Sequence, residues 1–395
     1  MTTTIEAPVS RVLLATSWTI PHIGGASTHI EMLAAALRDR GMLQGLVTLA
    51  GRRTLRYWVN RVLRPEAAFA LAQETALESL QRSLGDRLAA EGLPSVIHSH
   101  DPLATCSAAR ARGRLPPIVQ TVHGPWSREN ATMQRRPMPR LCAQMERIER
   151  EAFTEAALLL AVDQGQADRV VEDFGVDRGR VVVIANAVDV AALPVSAAKL
   201  EWEPFVLVPR RLVPKNGVEF AIRAMARLSP ARSPRLVIAG DGPLRESLEA
   251  LARGQGVAAR VTFLGGVARP QLLALMSRAV AVVVPSVAVN GVVEATSLAV
   301  LEAMASRIPV IGSSIGGIAE IVAQGCGLLV PPGDAAELAE AIEGVLHMPA
   351  TARAELLQKA RARVEAAYGI DAWMGRIFAA YQRALGQPRP VELSL

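Results

Sequence analysis

Lysine is almost missing from this chain of 395 residues: of 43 basic side chains only Lys199, Lys215 and Lys359 are lysines, against 37 acidic residues and a net charge of +6. The arginine bias has two readings, a GC-rich coding sequence or selection for an anionic partner. Its densest cluster, Arg52, Arg53, Arg56, Arg61 and Arg64 interleaved with Tyr57 and Trp58, is where phosphate or lipid headgroups would be met. Nucleic acid is not predicted as a partner, because neither zinc-finger nor helix-turn-helix spacing accompanies the charge. Cysteine is scarce too. Cys106, Cys142 and Cys326 are odd in number and lack C-x-x-C spacing, which argues against a disulfide framework and a cysteine zinc site and fits a reducing cytoplasm. No charged-then-apolar leader opens the chain, and the longest apolar run, 279–289, is about half a membrane span and interrupted by proline. The expectation is a cytoplasmic protein, soluble or peripheral at the inner face of the membrane.

What is abundant is aliphatic. Half of the residues are apolar while only 4% are aromatic, a composition suited to helices packed on parallel sheets of small and branched side chains. The length exceeds what one hydrophobic core usually holds, so two domains are expected. The first series reads RVLLATS, GLVTLA, SVIHSH, PIVQTVHG, ALLLAV and VVVIANAV as strands, with helices at 67–91 and 139–156 among the connections. The first helix is signed by Thr28 and Glu31 at capping-box spacing, by Ile30, Leu33, Ala34 and Leu37 on one face, and by Gly41 after its last turn. A proline-containing stretch without strong period follows Ala187. A second series then runs FVLVP, RLVIAG, VTFLG, AVVVPS, PVIGS and GLLVPP, with helices at 217–228, 243–253, 270–278 and 297–306. Strands alternating with helices predict two doubly wound parallel α/β domains, the last helical segment crossing back to the first.

In such sheets ligands bind beyond the carboxyl ends of the strands. Gly24 and Gly25, between a strand and a helix, let backbone N–H groups approach a phosphate, or simply make a tight turn. His100 and Asp101 close the third strand and either face a substrate or cap the next helix. His123 closes the fourth, where it bonds a sugar hydroxyl or is satisfied by a loop carbonyl; Trp126 and Arg128 follow it as further acceptor-side candidates. In the second series the loop RRLVPKNG presents Arg211 and Lys215 at a strand end, and a lysine in so lysine-poor a chain suits a point charge on phosphate. Glu294 and Glu302 stand eight positions apart across a loop-to-helix junction, too far to act as a close catalytic pair. Between them the N–H groups near Ser297, Leu298 and Ala299 form an anion site at a helix N-terminus. A diphosphate flanked by hydroxyls fits that layout.

These pieces in this order resemble the GT-B glycosyltransferases of family 4. The resemblance rests on the Gly-Gly loop, IHSHDP, TVHG, VVVIANAVD, RRLVPKNG, LVIAGDGP, VTFLGGV, VVVPS, the E-x7-E segment, LEAMASRIPVI and SSIGGIAEIV, and spans nearly the whole chain. It implies two Rossmann-like domains facing a central cleft: an acceptor-binding domain at 1–195, a nucleotide-sugar domain at 196–365, and a C-terminal helix at 366–395 packing back on the first. It implies Arg211 and Lys215 on the donor diphosphate, Glu294 on the donor sugar and Glu302 on the ribose. It also implies transfer with retention from a UDP- or GDP-sugar to a glycan, lipid-linked or small-molecule hydroxyl. No D-x-D motif is present to hold a metal, and no cofactor beyond the sugar nucleotide is expected. Two departures stand out: the lysine lies one place earlier than in R-L-x-x-E-K-G, and Ser297 replaces the glycine of E-x-F-G-L. Open alternatives on the same architecture are a sugar-nucleotide epimerase, a sugar phosphorylase, or a non-catalytic sugar-nucleotide-binding partner.

Overall fold

Short apolar runs become strands here because helices cover both faces of a parallel sheet, so the central strands must be buried at every position. The computed structural model describes residues 9–21, 24–49, 65–111, 115–132, 138–194, 204–229 and 233–386. The arginine cluster at 52–64 lies outside them. The chain divides into two compact units, one of residues up to Ala185 together with those from Met374 onward, the other Asn186–Trp373.

The first unit holds β1 (Val12–Ala15), β2 (Leu43–Val47), β3 (Val96–Ser99), β4 (Ile118–Val122), β5 (Leu158–Ala161) and β6 (Val181–Val183), all parallel in the order β2-β1-β3-β4-β5-β6. Strands β1, β3, β4 and β5 are buried along their whole length. From β1 the chain passes to β2 on one side and then crosses to β3 on the other, so the order reverses between β1 and β3, the place where such sheets form a crevice beyond the carboxyl ends of the strands. His100 and Asp101 follow β3 into that crevice, and the Gly24–Gly25 turn follows β1.

The helix Gly25–Asp39 buries Ile30, Leu33, Ala34 and Leu37 as its period requires, and Gly41 at φ 67° follows its end. Its start differs from the sequence expectation. Glycine at 24 and 25 lets the helix begin before Thr28, so no capping box forms; Ser27 Oγ instead donates to Glu31 Oε1 one turn on, at 2.7 Å. At the other end of the chain the helix Ile370–Gly386 carries Tyr381 onto β3, where its hydroxyl lies 2.7 Å from Nδ1 of His98.

The second unit holds β7 (Phe205–Val208), β8 (Arg235–Ala239), β9 (Val261–Gly265), β10 (Ala281–Val284), β11 (Val310–Ser313) and β12 (Leu328–Val330) in the parallel order β12-β11-β10-β7-β8-β9. Its order reverses between β7 and β10. Val206, Val208, Ile222, Met225, Ile238, Val283, Ile311 and Ile342 belong to its core. The two loops at the reversal approach at backbone distance. Gly217 stands at φ 58°, and a Cβ there would collide with the carbonyl oxygen of Pro285, so only glycine fits both the conformation and the space.

Replacing Gly217 by alanine should therefore lower the stability of the second unit by more than about 1–2 kcal/mol. Urea unfolding followed by tryptophan fluorescence and circular dichroism checks this.

Candidate active site

In the second unit the turn after β7 and the turn after β10 are stitched together by one side chain. Arg210 is buried, and its guanidinium grips Glu294 in a fork, Nη1 donating to Oε1 at 2.8 Å and Nη2 lying 2.7 Å from Oε2. The same Nη2 donates to Ser286 Oγ at 3.0 Å and to Asn216 Oδ1, while Asn216 Nδ2 donates to the Arg211 carbonyl at 2.8 Å. Lys215 Nζ lies 3.9 Å from Glu294 Oε2, and the Lys215 carbonyl accepts from Val287 N–H. Burial alone would push the Glu294 carboxyl up; Arg210, by charge and by hydrogen bond, together with Lys215 holds it down to about 2. Glu294 is thus a fixed, ionised acceptor at neutral pH.

Arg211 is exposed at the same turn. The sequence expectation gave Arg211 and Lys215 the charged work and passed over Arg210, although the two arginines are adjacent. The structure separates them: Arg210 turns inward to Glu294, and Arg211 turns outward.

The backbone of the Glu294 loop is held from two sides. Gly317 N–H donates to the Glu294 carbonyl at 3.2 Å, with Gly316 at φ 48° packed against that carbonyl, and Asn186 Nδ2 donates to the Thr296 carbonyl at 3.1 Å. The loop delivers Ser297 as N-cap of the helix Leu298–Ala305. Ser297 makes no side-chain cap hydrogen bond, and its buried Oγ has no hydrogen-bond partner. With only the Leu301 N–H reaching back to the Ser297 carbonyl, the N–H groups of Leu298, Ala299 and Val300 have no acceptor within the helix. Glu302, one turn in, is buried and takes both bonds from Arg269 on Oε1, at 3.0 and 2.9 Å. Burial raises its pKa and Arg269 opposes the rise. Arg269 was not foreseen from the sequence.

In the first unit four of the six histidines converge. His98 is held at both ring nitrogens, by Tyr381 and by Thr121 Oγ1 at 2.7 Å each, and stacks on His100 with centroids 4.5 Å apart. His123 Nε2 lies 3.4 Å from His100 Nδ1. His29, from the helix after the glycine pair, meets His123 edge-on at 4.7 Å and His100 at 5.4 Å. Burial first, then the neighbouring rings, pushes His100 and His123 well below the ordinary histidine pKa, so both are neutral at pH 7.

The side chains of three acceptor-side candidates have local partners. Asp101 is a strut: Oδ1 caps the helix Pro102–Ala109 through Ala104 N–H at 3.0 Å, and Oδ2 accepts from Thr16 Oγ1 and Ser17 N–H at 2.9 and 2.6 Å. Trp126 packs on the apolar cluster of Leu77, Leu103 and Ile148. Arg128 makes a surface ion pair with Asp173 at 2.7 Å. The loop carrying His123 is anchored by a pair that sequence reading missed, Arg169 and Glu149, both buried and 3.1 Å apart. Glu149 accepts from Ser127 Oγ at 2.6 Å, and Arg169 reaches the Gly124 carbonyl.

Comparison with known proteins gives a consistent assignment for both units. The profile of "Glycosyltransferase Family 4" matches residues 23–192, and that of "Glycosyl transferases group 1" matches 191–363. The chain is 31% identical over 304 residues to a glycogen synthase of Mycobacterium tuberculosis, covering 75% of this chain and 71% of that protein. It is 30% identical over 313 residues to a D-inositol 3-phosphate glycosyltransferase of Mycobacterium avium, covering 74% and 70%. Among solved structures it resembles a sucrose-phosphate synthase from Thermosynechococcus elongatus, with a TM-score of 0.73 at 22% identity over 93% of this chain and 98% of that one. The Anabaena protein HepE in complex with UDP gives a TM-score of 0.69 at 20% identity, covering 93% of this chain and 98% of that one.

Glu149→Ala should cost about 3–5 kcal/mol, because it leaves the Arg169 charge buried without its carboxylate. Replacing Glu149 and Arg169 together by methionine should restore most of the loss, as read from thermal melting of the three proteins.

Proposed function

The chain belongs to the group 1, family 4 glycosyltransferases, and on that footing we propose that it moves a sugar with retention of configuration from a UDP- or GDP-sugar to a hydroxyl acceptor. The observation that carries the reading is the charge balance of the two stitched turns. Residues 210–216 contribute Arg210, Arg211 and Lys215, and residues 285–297 contribute only Glu294, an excess of two positive charges beside an open helix N-terminus. A nucleoside diphosphate brings the complementary charge.

Arg211, Lys215 and the N–H groups from Leu298 take the diphosphate and stabilise it as it leaves, a contribution that grows where water is excluded. Glu294, held by Arg210, accepts hydrogen bonds from donor-sugar hydroxyls. Glu302 takes the ribose with Oε2, the oxygen outside its pair with Arg269. No enzymic nucleophile is needed. The acceptor hydroxyl attacks the anomeric carbon from the face the diphosphate leaves, its proton passing to a phosphate oxygen as the glycosidic bond forms and the C–O bond to phosphate breaks. His123, neutral, orients a sugar hydroxyl through a ring nitrogen. None of these residues is a metal ligand in this scheme.

The acceptor is a glycan, lipid-linked or small-molecule hydroxyl. No helix among the described residues is long and apolar enough to cross a membrane, and peripheral contact through the arginines at 52–64 belongs with the lipid-linked option. The HepE structures with UDP and UDP-glucose favour testing UDP donors first.

A thermal-shift screen of UDP-, GDP-, ADP- and TDP-sugars should single out one nucleotide, since a ligand present at about 100 times its Kd adds about 2.7 kcal/mol to the folded state. With that donor, Arg211→Ala should lower kcat/KM by about 100-fold or more while the melting temperature of the free protein stays near wild type. Product anomers read by NMR should keep the donor's configuration. Near wild-type transfer by Arg211→Ala, an inverted product, or isomerisation of donor incubated alone would each count against the assignment.

A further inference from the structure

The transfer proposed above uses one histidine of the first unit, yet three rings are gathered around a common point. We propose that His29, His100 and His123 form a binding site for a divalent cation of the zinc class. One ring nitrogen from each lies within 4.8 Å of the other two, and the three come from separate elements: the helix Gly25–Asp39, the end of β3 and the end of β4. Such convergence of three imidazoles from positions up to 94 residues apart is fixed by the sheet order, since β1, β3 and β4 are neighbours.

The spacing suits ligation better than hydrogen bonding. His123 Nε2 and His100 Nδ1 are 3.4 Å apart, longer than a well-formed hydrogen bond of about 2.7–3.2 Å. The edge of a tetrahedron with Zn–N bonds of about 2.0–2.1 Å is about 3.3–3.4 Å. His29 meets the other two rings edge-on, at interplanar angles of 89° and 70°, so its nitrogen approaches from a different direction than theirs. Outside the trio, His98 is clamped by Tyr381 and Thr121 and stacks on His100 at 25°, which fixes the plane of that ring as an outer shell does for a metal ligand.

The donor set selects the ion. The Asp101 carboxylate beside His100 is engaged by Thr16, Ser17 and Ala104, and the convergent group among the described residues consists of the three imidazoles. An all-imidazole set favours Zn2+, Co2+, Ni2+ or Cu2+ over Mg2+ or Ca2+. His29 and His100 are buried and His123 is half-buried, so the cation enters past His123 and keeps a fourth position open on that side. A cation there takes the lone pair that the transfer asks of His123, so Zn2+ should inhibit transfer; this consequence, unlike the binding itself, rests on the proposed function.

The test is titration of the chelator-treated, tag-free full chain with Co2+ in the absence of any sugar nucleotide. Wild type should bind one equivalent with the intense visible bands of a four-coordinate site, and one equivalent of Zn2+ should abolish them. His29→Gln and His100→Gln, verified as folded by circular dichroism, should each bind Zn2+ more than about 100-fold more weakly by calorimetry. His347→Gln, at an exposed position on the second unit, should bind as wild type does. Only the spectrum of hydrated Co2+ with wild type, binding retained by both folded variants, or binding lost with His347→Gln would overturn the site. Because binding is read without donor, its failure leaves the transferase assignment standing, and failure of the transferase assays leaves the binding result standing.

Discussion

A carboxylate buried at the end of a parallel sheet stays ionised only if a cation is buried with it. The second unit is arranged around that constraint. Glu294 lies in the loop between β10 and the helix Leu298–Ala305, and Arg210, just past the end of β7, meets it with both terminal guanidinium nitrogens. Removing either partner would strand the other's charge in the interior, which is worth several kcal/mol. The pair therefore fixes the distance between the two loops, and the loops in turn fix Arg211, Lys215 and the N-terminus of the helix Leu298–Ala305. Gly217 and the Gly316–Gly317 pair allow the close backbone approach that this stitching needs.

The first unit meets the same problem differently. Its polar groups at the ends of β3 and β4 are imidazoles, which burial neutralises instead of stranding. No counter-charge has to be buried with them. Asp101, the one carboxylate in that turn, is held by a backbone cap and by hydroxyl and N–H donors, and burial raises its pKa against those bonds. The charged pair that is present, Arg169 with Glu149, lies behind the His123 loop and sets its shape. One unit thus carries a fixed buried charge pair at its strand ends, and the other carries neutral imidazole nitrogens at its own.

Strands such as β1, β5, β7 and β10 were legible in the sequence because each is a short, wholly apolar run, the pattern that the centre of a buried parallel sheet imposes. The order of the motifs and the loops they close were legible for the same reason. What sequence could not resolve was the direction of single side chains. Arg210 and Arg211 are equivalent by type and neighbourhood, and the choice between them is made by Asn216, Ser286 and Glu294, partners up to 84 positions away. Of the two readings open for Asp101 the structure shows the helix cap, and Trp126 packs on a neighbouring apolar cluster. His29 carried no strand-end signal, and its meeting with His100 and His123 depends on how the first helix lies over the sheet. The one available hint was numerical: histidine is rare here, and most of it falls beside the crevice-facing turns.

The central claim is that Glu294, kept ionised by Arg210, reads the donor sugar while other groups hold the diphosphate. Calorimetric binding of UDP and GDP, each alone and as its glucose or mannose conjugate, to wild type and Glu294→Gln tests it most directly. The account predicts that the nucleoside diphosphate binds both proteins within a few-fold, whereas the added affinity contributed by the sugar is lost in the variant. An undiminished sugar contribution in a folded Glu294→Gln protein would contradict it.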